Sequence, residues 1–132
     1  MSESIFDRIG DWVVYKNNQL IAFNKPVNVS VQPDRTEGMS LQQLGSAYAQ
    51  NQLDLIHRLD RPTSGVVLFA KKKGALTDLN EQFRSGTVGK KYLAIVGARP
   101  PKDSGELVNH LKKQGRKNVI ETVPAGTEGS KE

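Results

Sequence analysis

The sequence contains no cysteine, so disulfide bonds, thiolate metal sites and cysteine nucleophiles are all excluded. Metal-centred chemistry is not expected, and histidine is also scarce, with His57 and His110 as its two occurrences. No apolar run approaches the length of a signal-peptide core or a membrane span. These absences predict a cytoplasmic protein that has no membrane partner.

Apolar residues make up only 36% of the 132-residue chain, which is low for a self-contained core and allows one small domain or part of one. Nineteen Lys and Arg residues outnumber 14 Asp and Glu residues, giving a formal charge of +5. This excess favours a polyanionic partner, although a solvated basic surface explains it equally well.

Hydrophobic periodicity predicts strands and two helices. Short runs of β-formers at 12–15 and 20–23 flank a polar turn and indicate a hairpin. Ser40 and Gln43 have the spacing of a capping box before a helix that ends near residue 51. Further elements are predicted as strands at 66–70, 91–96 and near 106–112, and as a helix at about 75–84 whose apolar stripe of Leu76, Leu79 and Phe83 faces the core.

This pattern predicts an α+β fold with a mixed, mostly antiparallel sheet and two packed helices. We expect residues 1–11 to form an N-terminal extension, residues 12–123 to form the domain, and residues 124–132 to be a flexible or truncated tail.

A polar loop at 57–65 separates two predicted strands and carries the candidate chemistry. Asp60 lies between Arg58 and Arg61, whose charges would favour an ionised carboxylate, and a Thr-Ser-Gly turn follows. A salt-bridged turn is the more frequent explanation of such spacing. Pro62 stands where an aspartyl-phosphate phosphatase has its second Asp and where a nucleophile elbow has glycine, and Arg84 interrupts a possible Walker spacing.

Residues 57–65, HRLDRPTSG, resemble the H-R-L-D-x-x-T-S-G signature of RluA-type RNA pseudouridine synthases. Residues 24–26 resemble the N-K-P element of that family, and residues 91–96 resemble its K-x-Y-x-A-x-V strand. Asn28 stands where the family usually has glycine, but asparagine tolerates positive φ better than most residues. A later T-G-R-x-H-Q-I-R-like motif has no counterpart after Lys117, so the resemblance covers only the first part of the family's catalytic domain.

The resemblance implies that a uridine in structured ribosomal or transfer RNA is isomerised to pseudouridine without a cofactor or metal. Asp60 would act at the ribose, by direct attack or by proton removal to give a glycal, and Tyr92 would hold the detached uracil. Arg58 would stack where the flipped base was. The other residues expected to contact RNA are Arg61, His57, Lys90 and Lys91, with His57 mainly supporting the loop. DNA is not an expected partner, and the oligomeric state stays open.

A truncated, catalytically inert RNA-binding relative is the alternative function. In the family, a basic residue of the later motif pairs with the catalytic aspartate, and Arg61 is not an assured substitute. We therefore expect weak or absent turnover from the isolated 132-residue chain. The family's later strands also have no counterpart in this sequence, and we therefore expect an unpaired sheet edge.

Overall fold

The computed structural model of the chain describes residues 5–35, 38–114, 119–129 and 131. The backbone divides into two compact units, Met1–Lys91 and Tyr92–Glu132, which are described separately. None of the helices in the described ranges is long and apolar enough to cross a membrane.

Among its described residues, the first unit contains a 3-10 helix, four strands and two α-helices. In chain order they are the 3-10 helix Ile5–Trp12, β1 Val13–Lys16, β2 Leu20–Lys25, α1 Leu41–Ala49, β3 Asp54–Leu55, β4 Gly65–Ala70 and α2 Lys73–Ser85. The strands form one sheet in the order β1-β2-β4-β3, and each described pairing is antiparallel. The predicted α+β fold with a mostly antiparallel sheet is confirmed, and so is the opening hairpin.

The core lies between this sheet and α1. Ile21 and Phe23 lie on one face of β2 and meet Val67 and Phe69 of β4. The rings of Phe23 and Phe69 pack edge to face with centroids 6.1 Å apart. Helix α1 covers this surface through the fully buried Leu41.

The predicted capping box is present at the start of α1. Ser40 Oγ accepts a hydrogen bond from the Gln43 amide at 3.2 Å, and Gln43 Oε1 accepts one from the Ser40 amide at 2.8 Å. Both bonds satisfy amides that the first helical turn leaves without intrahelical partners. The helix then ends at Gln50, close to the predicted end.

Helix α2 is slightly longer than predicted and ends, as expected, at Gly86, which adopts a left-handed conformation. Its stripe of Leu76, Leu79 and Phe83 is half-buried, and α2 contributes no fully buried residue. The prediction that this stripe belongs to the core is therefore only partly right. The helix lies over β4 at the margin of the core and leaves one side of the stripe exposed.

The second unit contains a two-stranded antiparallel hairpin, β5 His110–Gln114 and β6 Val119–Val123. Strand β5 begins four residues later than predicted, and β6 was not predicted. Lys131 exchanges backbone hydrogen bonds with Leu111 at 2.7 and 2.8 Å, while the flexibility predicted for the tail stays a prediction.

The strand predicted at residues 91–96 is wrong, because these residues have no regular secondary structure. Leu93 and Ile95 are fully exposed, at 103% and 105%. Their β-forming side chains favour an extended backbone, but a strand also needs a hydrogen-bonded neighbour. The described part of the chain supplies none for this segment.

The close approach of α1 to the sheet requires glycine at position 45. A Cβ there would lie 2.9 Å from Leu53 Cδ1 and 3.0 Å from two ring carbons of Phe23. We predict that Gly45→Ala lowers the free energy of unfolding by about 1–3 kcal/mol, measured by denaturant titration. Gly74→Ala is the matched control, since its Cβ would meet nothing within 4 Å, and it should cause no loss. Equal stability of the two variants would contradict this packing.

Candidate functional site

The loop between β3 and β4 presents Asp60 at the Gly65 end of the sheet. Leu59 is buried in the core, whereas Arg58 and Asp60 on either side of it are exposed. The Thr63 amide donates to the Asp60 carbonyl at 2.9 Å and closes the turn. Gly65, with φ of 140°, returns the chain to β4 in a conformation that other residues rarely adopt. The buried leucine and this turn together direct the Asp60 side chain outward.

The Asp60 carboxylate forms no salt bridge with the part of the chain that the structure describes. Arg61, its neighbour in sequence, instead lies 4.0 Å from the carboxylate of Asp34. The ordinary salt-bridged turn considered from the sequence is therefore not observed at Asp60. An open cleft of about 170 Å³ adjoins the loop and is lined by Ser30, Val31, Gln32, Asp34, Arg58, Leu59, Asp60 and Arg61.

Lys25, the last residue of β2, fixes this loop from inside the protein. Its side chain is 0% exposed, and Nζ donates to the carbonyls of Val29 at 2.7 Å, Pro26 at 3.0 Å and Arg61 at 3.1 Å. Three acceptors match the three N–H donors of an ammonium group. Because Arg61 directly follows Asp60, the bond to its carbonyl ties the candidate nucleophile loop to the end of β2.

The charges around Lys25 oppose one another. Burial lowers the pKa of Lys25, because a charged group loses its hydration there, and the positive charge of Arg61 lowers it further. The Asp60 carboxylate acts in the opposite direction and raises the pKa of Lys25. The exposed Asp60 carboxylate therefore favours the charged form of the buried Lys25 amine.

Asn28 provides a second tie to the same carbonyl. Its φ is 65°, which confirms that asparagine supports the turn where the resembling family usually has glycine. In this conformation the backbone amide of Asn28 donates to the Arg61 carbonyl at 2.9 Å. The Arg61 carbonyl thus accepts hydrogen bonds from both Lys25 and Asn28.

His57 supports the loop from the other side. Its Nε2 accepts a hydrogen bond from the Leu68 amide at 3.0 Å, and its ring stacks on Phe83 of α2 with centroids 4.7 Å apart. Burial, and next the charge of Lys90, lower the pKa of His57. Both effects favour the neutral ring, whose Nε2 lone pair is already used by the backbone.

The structure brings some of the predicted site residues together. Arg58 and Arg61 line the same cleft as Asp60, whereas His57 lies behind the loop. Lys90 lies 5.3 Å from the centroid of the Phe83 ring. Lys91 is exposed, and Tyr92, 64% exposed, belongs to the second unit, so the predicted meeting of its ring with Asp60 stays a prediction.

The role of Lys25 was missed from the sequence. The signal was the two-residue period of β2, which places Lys25 on the same face as Ile21 and Phe23. A lysine in register with two core residues is a candidate buried cation. The described residues contain no group of three or more His, Asp or Glu side chains that could hold a metal ion.

The sequence profile described as RNA pseudouridylate synthase matches residues 19–132. A protein named ribosomal large subunit pseudouridine synthase C from Buchnera aphidicola subsp. Baizongia pistaciae is 36% identical over 88% of this chain, and one with the same name from Vibrio vulnificus is also 36% identical over 88%. This chain spans 38% of the length of each.

Two solved human structures have a similar fold. Human RNA pseudouridylate synthase domain containing 1 superposes with a TM-score of 0.75 at 18% identity, over 100% of this chain and 51% of that one. Human RNA pseudouridylate synthase domain containing 4 gives a TM-score of 0.72 at 20% identity, over 96% of this chain and 52% of that one.

Replacing Lys25 with Met should destabilise the first unit. The substitution preserves most of the side-chain volume but removes the hydrogen-bond donors of three carbonyls, so we expect a loss of about 1–3 kcal/mol in the free energy of unfolding. Lys16→Met, at an exposed lysine on the adjacent strand, should change it by less than about 0.5 kcal/mol. Denaturant titration measures both, and a Lys25→Met variant as stable as the wild type would refute the role given to Lys25.

The protein should lose stability in mild acid because of His57. Its pKa in the folded state lies below the ordinary value of 6.5, so between these two values the unfolded chain binds more protons. The stabilisation is complete above the ordinary pKa and is lost as the pH falls through the folded one. Denaturation midpoints measured from about pH 7.5 to about pH 5.5 should fall less in His57→Gln than in the wild type. An unchanged pH dependence in His57→Gln would contradict the assignment.

Proposed function

The chain belongs to the RNA pseudouridylate synthase family, and we propose that its Asp60 loop isomerises uridine to pseudouridine in RNA. The observation that carries the proposal is the exposed Asp60 carboxylate, which lines an open cleft together with Arg58 and Arg61. This chain spans 38% of the length of the two bacterial relatives, so the activity of the whole protein is likewise proposed from the similarity.

Asp60 is the group proposed to act on the ribose of the target uridine. It either attacks the anomeric carbon or removes the neighbouring proton to give a glycal, and both routes break the bond between the sugar and N1 of uracil. The ring then turns, C5 joins the sugar, and the proton on C5 is transferred in the end to N1. No electron is gained or lost overall, so the reaction needs no redox partner.

The uridine must leave the base stack before its sugar can reach Asp60. Extrusion costs a few kcal/mol, which contacts to the flipped nucleotide and to the vacated position offset. Arg58 is proposed to occupy the vacated position, since its exposed guanidinium is planar and can stack on neighbouring bases. Its position two residues before Asp60 supports this role.

The remaining site residues have supporting roles in the proposal. Arg61, Lys90 and Lys91 would contact phosphates, and Tyr92 would hold the detached uracil, a role that depends on the motif resemblance. His57 supports the loop, because its Nε2 already accepts a backbone hydrogen bond. A part for His57 in RNA contact would have to use the exposed part of its half-buried ring.

Ribosomal RNA is the substrate that the relatives favour over transfer RNA, since both bacterial proteins are named for the large ribosomal subunit. One observation favours the alternative of an inert RNA-binding relative. Asp60 has no salt-bridge partner among the described residues, although the resemblance implies a basic one. The isolated chain is therefore expected to turn over slowly.

Tritium release from RNA that carries uridine labelled at carbon five tests the proposal, with protein in excess over RNA. We predict slow release by the wild type and a loss of at least about a thousandfold in Asp60→Asn, which retains RNA affinity. Asp78→Asn, an exposed carboxylate on α2, should match the wild type. Absence of release from every variant while RNA still binds would replace this proposal with the inert binding relative.

A further inference from the structure

The end of the sheet opposite the Asp60 loop carries a second group of basic and aromatic side chains. Strands β2 and β4 pair in continuous register from Lys25 with Gly65, beside the loop, to Leu20 with Ala70. Five residue steps separate these pairs, which corresponds to about 17 Å along the strands. At the far end the Lys71 amide donates to the Gln19 carbonyl at 2.8 Å, so the chain leaving β4 lies against the β1–β2 turn.

Exposed and half-buried basic, aromatic and amide side chains lie at this end, and we call them the distal patch: Tyr15, Lys16, Asn17, Tyr48, Lys71 and Lys72. Lys71 Nζ donates to the Asn17 carbonyl at 2.9 Å, and Asn17 Nδ2 donates to the Tyr15 hydroxyl at 3.2 Å. Lys16 Nζ lies 5.6 Å from the centroid of the Tyr48 ring. These contacts form two groups at the same end of the sheet, Tyr15 with Asn17 and Lys71, and Lys16 with Tyr48.

The two tyrosines and the charge of the patch remain available to a partner. Tyr15 is 55% exposed and Tyr48 is 39% exposed. None of the three lysines of the patch forms a salt bridge with a described carboxylate, and the nearby Asp54 instead pairs with Lys73 at 3.4 Å. The distal patch thus presents an excess of positive charge next to partly exposed aromatic rings.

We propose that the distal patch binds a segment of RNA that flanks the target uridine. This inference rests on the proposed function, because it takes RNA as the substrate, and adds a second contact at the end of the sheet opposite the Asp60 loop. Lysines would contact phosphates, and the tyrosine rings would stack on unpaired bases. Lysines alone would suit any polyanion, but aromatic rings and an asparagine amide beside them favour nucleotides.

The test compares two single-stranded RNAs, each with one central uridine, by fluorescence anisotropy with the complete chain. The longer RNA has about 20 nucleotides and can span both sites, while the shorter has about four and cannot. Lys16→Gln combined with Lys72→Gln should weaken binding of the longer RNA about tenfold and leave the shorter one unchanged. The slope of log affinity against log salt should decrease by about 1.4 for two lost phosphate contacts on a single strand.

Lys102→Gln combined with Lys113→Gln is the charge-matched control, since both lysines are exposed and lie outside the patch. It should stay within about twofold of the wild type on both RNAs. The proposal would be overturned if the patch and control variants lost equal affinity for the longer RNA, or if the patch variant lost equal affinity for both RNAs. Either result would show general charge attraction.

A ring variant tests the stacking contact. Tyr15→Thr should weaken binding of the longer RNA at least about fivefold. Val14→Thr, at a neighbouring side chain that is also 55% exposed, should have no effect. An unchanged affinity in Tyr15→Thr would contradict base stacking at the patch. Tritium release separates the two proposals. If the patch variants bind the longer RNA as tightly as the wild type while Asp60-dependent release is intact, only the distal-patch proposal is overturned. If the patch variants bind the longer RNA more weakly but no variant releases tritium, only the catalytic proposal is overturned.

Discussion

The buried ammonium of Lys25 is the constraint on which the candidate site depends. A charged group without water is costly, and here three backbone carbonyls and the nearby Asp60 carboxylate offset that cost. To serve as an acceptor, the Arg61 carbonyl must point inward. On the other side of Asp60, the side chain of Leu59 is buried in the core. Asp60 lies between these two anchors, so its side chain is directed to solvent. The position of the Asp60 carboxylate is therefore determined by the backbone on either side of it.

The same two strands that carry this anchor also space the two proposed RNA contacts. Lys25 and Gly65 form the pair at one end of the β2–β4 ladder, and the distal patch adjoins the other end. Phe23 and Phe69 pack between them in the core, and Gly45 lets α1 approach that layer closely. A hydrogen-bonded ladder over a packed core changes length very little. An RNA bound at both ends would thus be held at a fixed span, with its target uridine at the Asp60 loop.

What could be predicted from the sequence was local. The capping box of Ser40 and Gln43, the opening hairpin and the left-handed Asn28 depend on neighbouring residues, and each is present. The segment at 91–96 was predicted as a strand from its side chains, but strands also need partners, which a single segment does not reveal. Lys25 was missed for a related reason, since one of its three acceptors, the Arg61 carbonyl, is distant in sequence and approaches only when the chain folds. The Asp60 loop was found because its motif is contiguous.

The most direct test of the central claim observes the Lys25 ammonium itself by nitrogen-15 NMR near neutral pH. The account predicts a slowly exchanging ammonium signal for Lys25, with couplings across hydrogen bonds to the carbonyl carbons of Pro26, Val29 and Arg61. Exposed lysines such as Lys16 should give no such signal, because their hydrogens exchange rapidly with water. A Lys25 signal that exchanges as fast as that of Lys16, without these couplings, would contradict the claim that this side chain holds the Asp60 loop.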